Sequence, residues 1–230
     1  MKPIEITKRN IMFTQSIAEW DGLALNMGLI LGAKRNYLID TGLGKNSVTP
    51  VLNYIGETEK PLIVINTHAH WDHVWGNYIF ADNLIISHKN CRDELDKNWD
   101  KDFQKNEHFA DGEVCKCLPN VTFENNLYFA DDGVYLFHTP GHTTSCISIY
   151  DEVEKILYVG DAIGDEGEND IDIIPNIRTT PDIMQETIEK WKKVDFELCI
   201  IGHNKPHKKD VLSAMESVLI KAWEEQNKKG

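Results

Sequence analysis

A chain of 230 residues with 41% hydrophobic and 27% charged side chains is long enough to bury a core and has the balance of an ordinary globular protein. Its net charge of −13, with nine histidines counted neutral, repels a phosphate backbone and disfavours general nucleic-acid binding. The longest apolar-leaning run, Leu23 to Ala33, is too short to span a bilayer, and the opening MKPIEITKRN has no stretch of signal-peptide length.

Taken from the N-terminus, short apolar and often β-branched runs at Ile11–Gln15, Leu23–Leu31 and Asn36–Ile39 are expected as strands. A helix is expected at Ser47–Glu57, a strand at Leu62–Asn66, a helix at Val74–Phe80 and a strand at Leu84–Ser87. Residues 89–126 are charged and carry Trp99, Phe103, His108 and Phe109; a helix is expected at Lys89–Asn98, inside a helical insertion near a pocket. Strands follow at Val134–His138, Cys146–Tyr150 and Lys155–Val159. Pro181 suits a helix start, where its missing N–H costs nothing, so Pro181–Val194 is expected as a helix. After a strand at Leu198–Ile201, a last helix at Lys209–Glu225 repeats Leu212, Met215, Leu219, Ala222 and Trp223 at helical spacing, a face for packing on a sheet. No repeat or linker divides the chain. Residues 1–230 are therefore expected as a single α/β domain, sheet inside and helices outside.

Cysteines at 91, 115, 117, 146 and 199 are odd in number and show no pairing pattern, as expected of reduced thiols in a cytoplasm. Cys115-x-Cys117 lacks the usual two-residue gap of a metal or redox pair and is taken as two loop thiols.

The chemistry concentrates in Thr67-His68-Ala69-His70-Trp71-Asp72-His73, which begins as the run Leu62–Asn66 ends. Three histidines and a carboxylate within six residues is the composition of a metal site. Three later residues repeat one device, an apolar strand, a glycine, then a ligand-type side chain: Gly141-His142, Gly160-Asp161 and Gly202-His203. Glycine permits a sharp turn and a close approach of the backbone to the site.

From Asp40, in Leu38-Ile39-Asp40-Thr41-Gly42, to His203, this set resembles the metallo-β-lactamase superfamily, whose fold is a four-layer αββα sandwich. The resemblance implies that His68, His70 and His142 hold one metal ion, that Asp72, His73 and His203 hold a second, and that Asp161 bridges both. Asp40 resembles the family's aspartate that orients a ligand histidine from behind. The implied cofactor is a pair of divalent ions, zinc first, with iron or manganese as alternatives. Two such ions bring four positive charges; Asp72, Asp161 and one hydroxide remove three, leaving an electrophilic centre.

Family β-lactamases usually carry another residue where Asp161 stands, and acyl-homoserine lactonases often place a tyrosine where this chain has Gly164. The complete ligand set is similar to that of glyoxalase II-like thioesterases. The reaction expected from the resemblance is hydrolysis of a thioester, ester or lactone by a hydroxide bridging the metals. Asp72 is the expected catalytic carboxylate, accepting a proton and passing it toward the leaving group. The alternative is a persulfide dioxygenase-like oxygenase with one iron on His68, His142 and Asp161. The expected partner is a small-molecule substrate, with no nucleic acid and no membrane; the state of assembly is left open. Trp71 and Trp75 could line a pocket, with a buried helix-face role an equal reading for Trp75; His138 is read as structural or as a support behind a ligand. Lys205 and His207 could meet an anionic substrate, and the acidic run Asp165–Asp170 reads most simply as a solvated loop, whose closeness to Asp161 could select against acidic substrates.

Overall fold

Two of the expected strands are buried on both faces along nearly their whole length, as β4 (Asn36–Ile39) and β5 (Leu62–Ile65) each leave at most one residue short of full burial. Strands of that kind need cover above and below, and the architecture supplies it. The computed structural model describes residues 1–18, 23–56, 58–165 and 173–227, with side chains described for all of these except 165, 173–174 and 221–227.

The first half of the chain builds one seven-stranded sheet in sequential order. β1 (Lys2–Glu5), β2 (Asn10–Ser16), β3 (Ala24–Leu31) and β4 run antiparallel. β5, β6 (Leu84–His88) and β7 (Val121–Phe123) then continue parallel to β4. Parallel neighbours require crossovers, here α1 (Lys45–Ile55), the short α2 (Trp71–Val74) and α3 (Lys89–Asn106). The second half builds a six-stranded sheet: β8 (Asn126–Phe129), β9 (Val134–His138), β10 (Ile147–Asp151) and β11 (Ile156–Tyr158) form an antiparallel meander. A small ribbon of β12 (Ile163–Asp165) and β13 (Ile173–Pro175) and the helix α4 (Pro181–Lys192) then lead to β14 (Leu198–Ile200), parallel to β11. β15 (His207–Lys208) and α5 (Val211–Asn227) complete it.

Alternation along the strands sorts the apolar side chains into three layers of core. Between the sheets, Ile30, Ile39, Ile65 and Ile86 meet Leu136, Ile149, Tyr158 and Ile200. Outside the first sheet, Phe13, Leu29 and Val64 pack under Val48 and Val51 of α1. Outside the second, Leu157, Cys199 and Ile201 pack under Ile188 and Trp191 of α4 and Leu212, Met215 and Leu219 of α5. Each such Leu, Ile or Val contributes about 1.5–3 kcal/mol relative to exposure. The order helix, sheet, sheet, helix is the αββα sandwich. No described helix is long and apolar enough to cross a membrane.

Several elements differ from expectation. The helix expected over Val74–Phe80 is the four-residue α2 followed, after Gly76, by a 3-10 turn over Asn77–Phe80. Regular winding gives way there because buried Asn77 is pinned from the side, bonding Asn66 at 2.8 and 3.0 Å and accepting the Thr41 hydroxyl at 3.0 Å. α3 runs to Asn106, eight residues past its expected end, so the region 89–126 is a long helix plus the strand β7. β1, β7, β8, β12, β13 and β15 were not expected; they are two to four residues long and are strands because of what they pair with. The side chains of Ala222 and Trp223, and Glu166–Asp170 of the acidic run, lie outside the described residues.

Candidate metal centre

Four segments arrive at one end of the sandwich, each just past the end of a strand, where loops in α/β sheets gather ligands. His68 and His70 follow β5, and Asp72 and His73 lie in α2. His142 follows β9, Asp161 follows β11 in a 3-10 turn, and His203 follows β14. Two of the glycines noted in the sequence are required for reasons the structure makes specific. Gly160 adopts φ +55°, the left-handed region. At Gly202 a Cβ would stand 2.0 Å from Asp161 Oδ1, so only glycine leaves room for that carboxylate.

All seven residues converge. They form two groups, His68–His70–His142–Asp161 and Asp72–His73–Asp161–His203, whose donor atoms lie within 4.8 Å of one another in each group. Asp161 belongs to both. Its Oδ2 is 3.6 Å from His68 Nε2, 3.7 Å from His142 Nε2 and 3.4 Å from His203 Nε2, and its Oδ1 is 3.1 Å from His73 Nε2. Asp72 Oδ2 completes the second group at 3.5 Å from His73 Nε2 and 3.4 Å from His203 Nε2. Either group could hold a metal ion.

The far nitrogens decide what the near ones offer. His142 Nδ1 donates to the Asn176 carbonyl at 3.1 Å, His203 Nδ1 to the Ala24 carbonyl at 3.1 Å, and His73 Nδ1 to Asp40 Oδ2 at 2.9 Å. The Thr67 hydroxyl has one hydrogen, which it donates to Asp40 Oδ2 at 2.7 Å; it must therefore accept from His68 Nδ1 at 3.0 Å. A neutral imidazole protonated on its outer nitrogen presents a lone pair on its inner one, the form that binds metal. His70 Nδ1 lies 3.0 Å from both His68 Nε2 and His142 Nε2. One proton on it could satisfy one of those lone pairs and not the other, whereas one cation satisfies all three. Deep in the second group, His73 Nε2 and Asp161 Oδ1 are buried without a hydrogen bond. Buried groups of this kind are costly unless something pairs them, and the donor set of imidazoles and carboxylates fits divalent ions.

Electrostatics separate the two groups. Burial, with neighbouring imidazoles, holds His68 well below the usual histidine range and brings His70 down to about 4. Burial lowers His142 as well. Burial also opposes charge on His73 and His203, but there carboxylates outweigh it. Asp161, Asp72 and Asp40 raise His73 well above its ordinary value, and Asp161 and Asp72 take His203 to about 10. The same attraction overcomes burial at Asp72 and Asp161 and holds both below the usual carboxylate range. The second group thus demands positive charge, supplied by protons or by a cation.

Above the groups opens a cleft of about 550 Å³ lined by His70, Trp71, Asp72, Asp161 and His203, with Leu23, Glu94, Asn176 and Arg178 around them. Trp71 is part of its wall, while Trp75 is 1% exposed and sits in the core under α3. His138 joins neither group; it stacks on His88 with ring centroids 3.9 Å apart and donates to the Thr144 carbonyl at 2.9 Å. Lys205 and His207 do not line the cleft. Three contributors escaped the sequence reading. Thr67 sits inside the motif, and its hydroxyl type beside a histidine was the available signal. Asn176 acts through its carbonyl, which no side-chain pattern reveals. Glu94, on α3, accepts from the hydroxyls of Thr144 and Ser145 at 2.7 Å each and steadies the loop carrying His142.

A profile of the family described as "Metallo-beta-lactamase superfamily" matches residues 20–203. Among curated proteins, the chain is similar to human "Acyl-coenzyme A thioesterase MBLAC2", 26% identical over 171 residues, covering 63% of this chain and 60% of that protein. It is similar to an "N-acyl homoserine lactonase" of Bacillus sp, 30% identical over 115 residues, covering 48% of this chain and 41% of the lactonase. The chain thus spans at most about 60% of the length of these two relatives. Among solved structures, DIM-1 metallo-beta-lactamase aligns with a TM-score of 0.73 at 16% identity, over 96% of this chain and 97% of that one. The metallo-beta-lactamase from Pontibacter korlensis aligns with a TM-score of 0.72 at 20% identity, over 95% and 98%. At those identities the structures speak to the fold alone.

Proposed function

This chain belongs to the metallo-β-lactamase superfamily, and we propose that within it the protein is a metal-dependent hydrolase of an ester-like bond: a thioester, ester or lactone. The observation that carries the reading is Asp161, a single buried carboxylate common to two complete donor groups. The thioesterase and lactonase named among the relatives support the same reaction class.

In this reading His68, His70, His142 and Asp161 hold one divalent ion, and Asp72, His73, His203 and Asp161 hold the other. Zinc suits imidazole and carboxylate donors. Bound there, the ions supply Lewis acidity toward a carbonyl oxygen and bring the pKa of water toward about 7. The chain's own residues do the rest. Asp40 and Thr67 fix the tautomers of His73 and His68. Trp71 and Leu23 give the cleft an apolar wall against which an acyl group can lie. Asp72, which lines the cleft and stays ionised, accepts the proton released as water adds to the acyl carbon. It returns that proton to the departing sulfur or oxygen as the acyl bond breaks. Water is consumed and an acid plus a thiol or alcohol is released.

The test is elemental analysis of the purified protein together with turnover of thioesters, esters, lactones, phosphodiesters and β-lactams. The expected result is about two zinc per chain and chelator-sensitive cleavage of at least one of the first three. One iron per chain with oxygen consumption on a persulfide, and no hydrolysis, overturns the proposal.

A further inference from the structure

The chain has four arginines, and three of them are engaged with fixed oxygens. Arg9 pairs with Asp151 at 3.2 Å, Arg35 with Asp132 at 3.0 Å, and Arg92 donates to the Pro119 carbonyl. The fourth, Arg178, lines the cleft over the candidate centre, and among the described residues no carboxylate lies within ion-pair distance of it.

Its position is set from below. The segment 176–179 is stitched onto the turn that bears His142. Arg178 N–H donates to the carbonyls of His142 at 3.1 Å and Gly141 at 3.3 Å, and the Thr179 hydroxyl donates to Gly141 O at 2.6 Å. Asn176 O accepts from His142 Nδ1. The guanidinium stands over this turn with Nη1 3.5 Å from His70 Nε2. A fixed positive charge thus sits at the rim of a centre that itself calls for cations. Like charges so placed repel unless an anion comes between them. The guanidinium fork presents paired N–H donors that match a carboxylate or a phosphate.

The other end of the cleft has the opposite character. Leu23 lies beside His203, since Ala24 O accepts from His203 Nδ1 and Leu25 bridges to His203. Trp71, stacked on Phe109 at 5.3 Å, adds an aromatic surface next to Asp72. The carboxylate of Glu94, also in the lining, is turned to the hydroxyls of Thr144 and Ser145. Lys105 is a second cation in the wall, with Asp102 near it.

We infer that Arg178 is an anion-binding, specificity-determining residue. The substrate is an ester-like compound bearing a carboxylate or phosphate on the part over His70 and an apolar group on the part over His203. This rests on the hydrolase reading for its scissile bond, and on Arg178 alone for its charge.

The test uses the metal-loaded full chain and three non-hydrolysable thioethers that share one apolar arm and end in a carboxylate, a phosphate or a neutral carboxamide. Calorimetry is expected to show the better of the two anionic probes binding about tenfold or more tighter than the carboxamide, and the rank of the two identifies which anion the site takes. Arg178→Ala is expected to abolish that preference, Arg178→Lys to keep part of it, and Lys105→Ala to leave it in place, with equal metal content throughout. A preference that survives in Arg178→Ala places the anion on the metals and overturns the inference, as does equal binding of all three probes. Cleavage of the matching thioesters is measured separately. No cleavage, with the Arg178-dependent preference intact, removes the hydrolase reading and leaves the anion site standing.

Discussion

Asp40 Oδ2 lies 2.9 Å from His73 Nδ1, and Asp40 reaches it from a left-handed backbone with φ 61°. That conformation costs a non-glycine residue roughly 1–2 kcal/mol and is kept where the surroundings enforce it. Here Asp40 also accepts from Thr67 N at 2.8 Å and from the Thr67 hydroxyl at 2.7 Å, so one carboxylate fixes the rings of His73 and, through Thr67, of His68.

Asn at position 40 tolerates the same backbone but loses the charge that accepts from the imidazole. Asp40→Asn is expected to leave both ions able to bind, with affinity lower by about 10–100-fold. Competition against a chelator of known affinity measures it. Unchanged affinity would show that the carboxylate does not tune the histidines.

Asp161→Asn is expected to lower bound metal from about two ions per chain to about one, with turnover falling sharply. A neutral amide cannot offset two divalent charges a short distance apart where water is sparse. Elemental analysis beside kinetics is the check, and two ions with normal turnover in the variant would remove Asp161 from its shared position.

Two glycine-to-alanine changes separate site crowding from backbone strain. Gly202→Ala puts a Cβ 2.0 Å from Asp161 Oδ1 and is expected to cost about 1–3 kcal/mol of stability and most of the bound metal. Gly56→Ala meets nothing within 4 Å but sits at φ +60°, so it is expected to cost about 1–2 kcal/mol and leave metal content alone. Melting curves and metal analysis on both variants distinguish the two; similar metal loss in each would contradict the steric account.

The pH dependence of stability is expected to show the buried carboxylate of Asp132. It accepts from Lys34 N at 2.6 Å, Tyr37 Oη at 2.7 Å and Arg35 Nη1 at 3.0 Å. Burial works against its charge, but these bonds prevail and hold its pKa below the ordinary value. A depressed carboxylate stabilises the fold fully above its unfolded pKa of about 3.9. The stabilisation fades as pH falls through that value to the folded one. Asp132→Asn is therefore expected to cost about 1–3 kcal/mol near pH 7 and progressively less below pH about 4. Denaturant titrations across that range test it, and a constant difference would mean the charge is not the cause.

What was legible in the sequence was local. His68, His70, Asp72 and His73 fall within six residues, and His142, Asp161 and His203 each follow a strand and a glycine, so their convergence could be anticipated from position along the chain. Core strands such as β4 and β5 announced themselves because burial on both faces leaves β5 apolar throughout and β4 apolar or aromatic but for Asn36. β1, with the sequence Lys2-Pro3-Ile4-Glu5 and every residue exposed, has no such imprint and exists through its register with β2. Asn176 and Arg178 were illegible for another reason. Their relation to His142 spans more than thirty residues and depends on how the chain returns after β13, which no local pattern encodes.

The two donor groups divide the chain in an uneven way. His68, His70, Asp72 and His73 come from the half that builds the first sheet; His142, Asp161 and His203 come from the half that builds the second. Neither group can be completed by one half. Whatever occupies them therefore works as a rivet through both sheets at one rim of the sandwich. Between His73 and His142 the strands β6 to β9 are held in the two sheets and Glu94 steadies the His142 loop, but the end of α3 past Trp99, which reaches the cleft through Asp102, Lys105 and Asn106, carries none of the seven donors. Variation in what the cleft accepts has a ready place to accumulate there, apart from the residues that perform the chemistry.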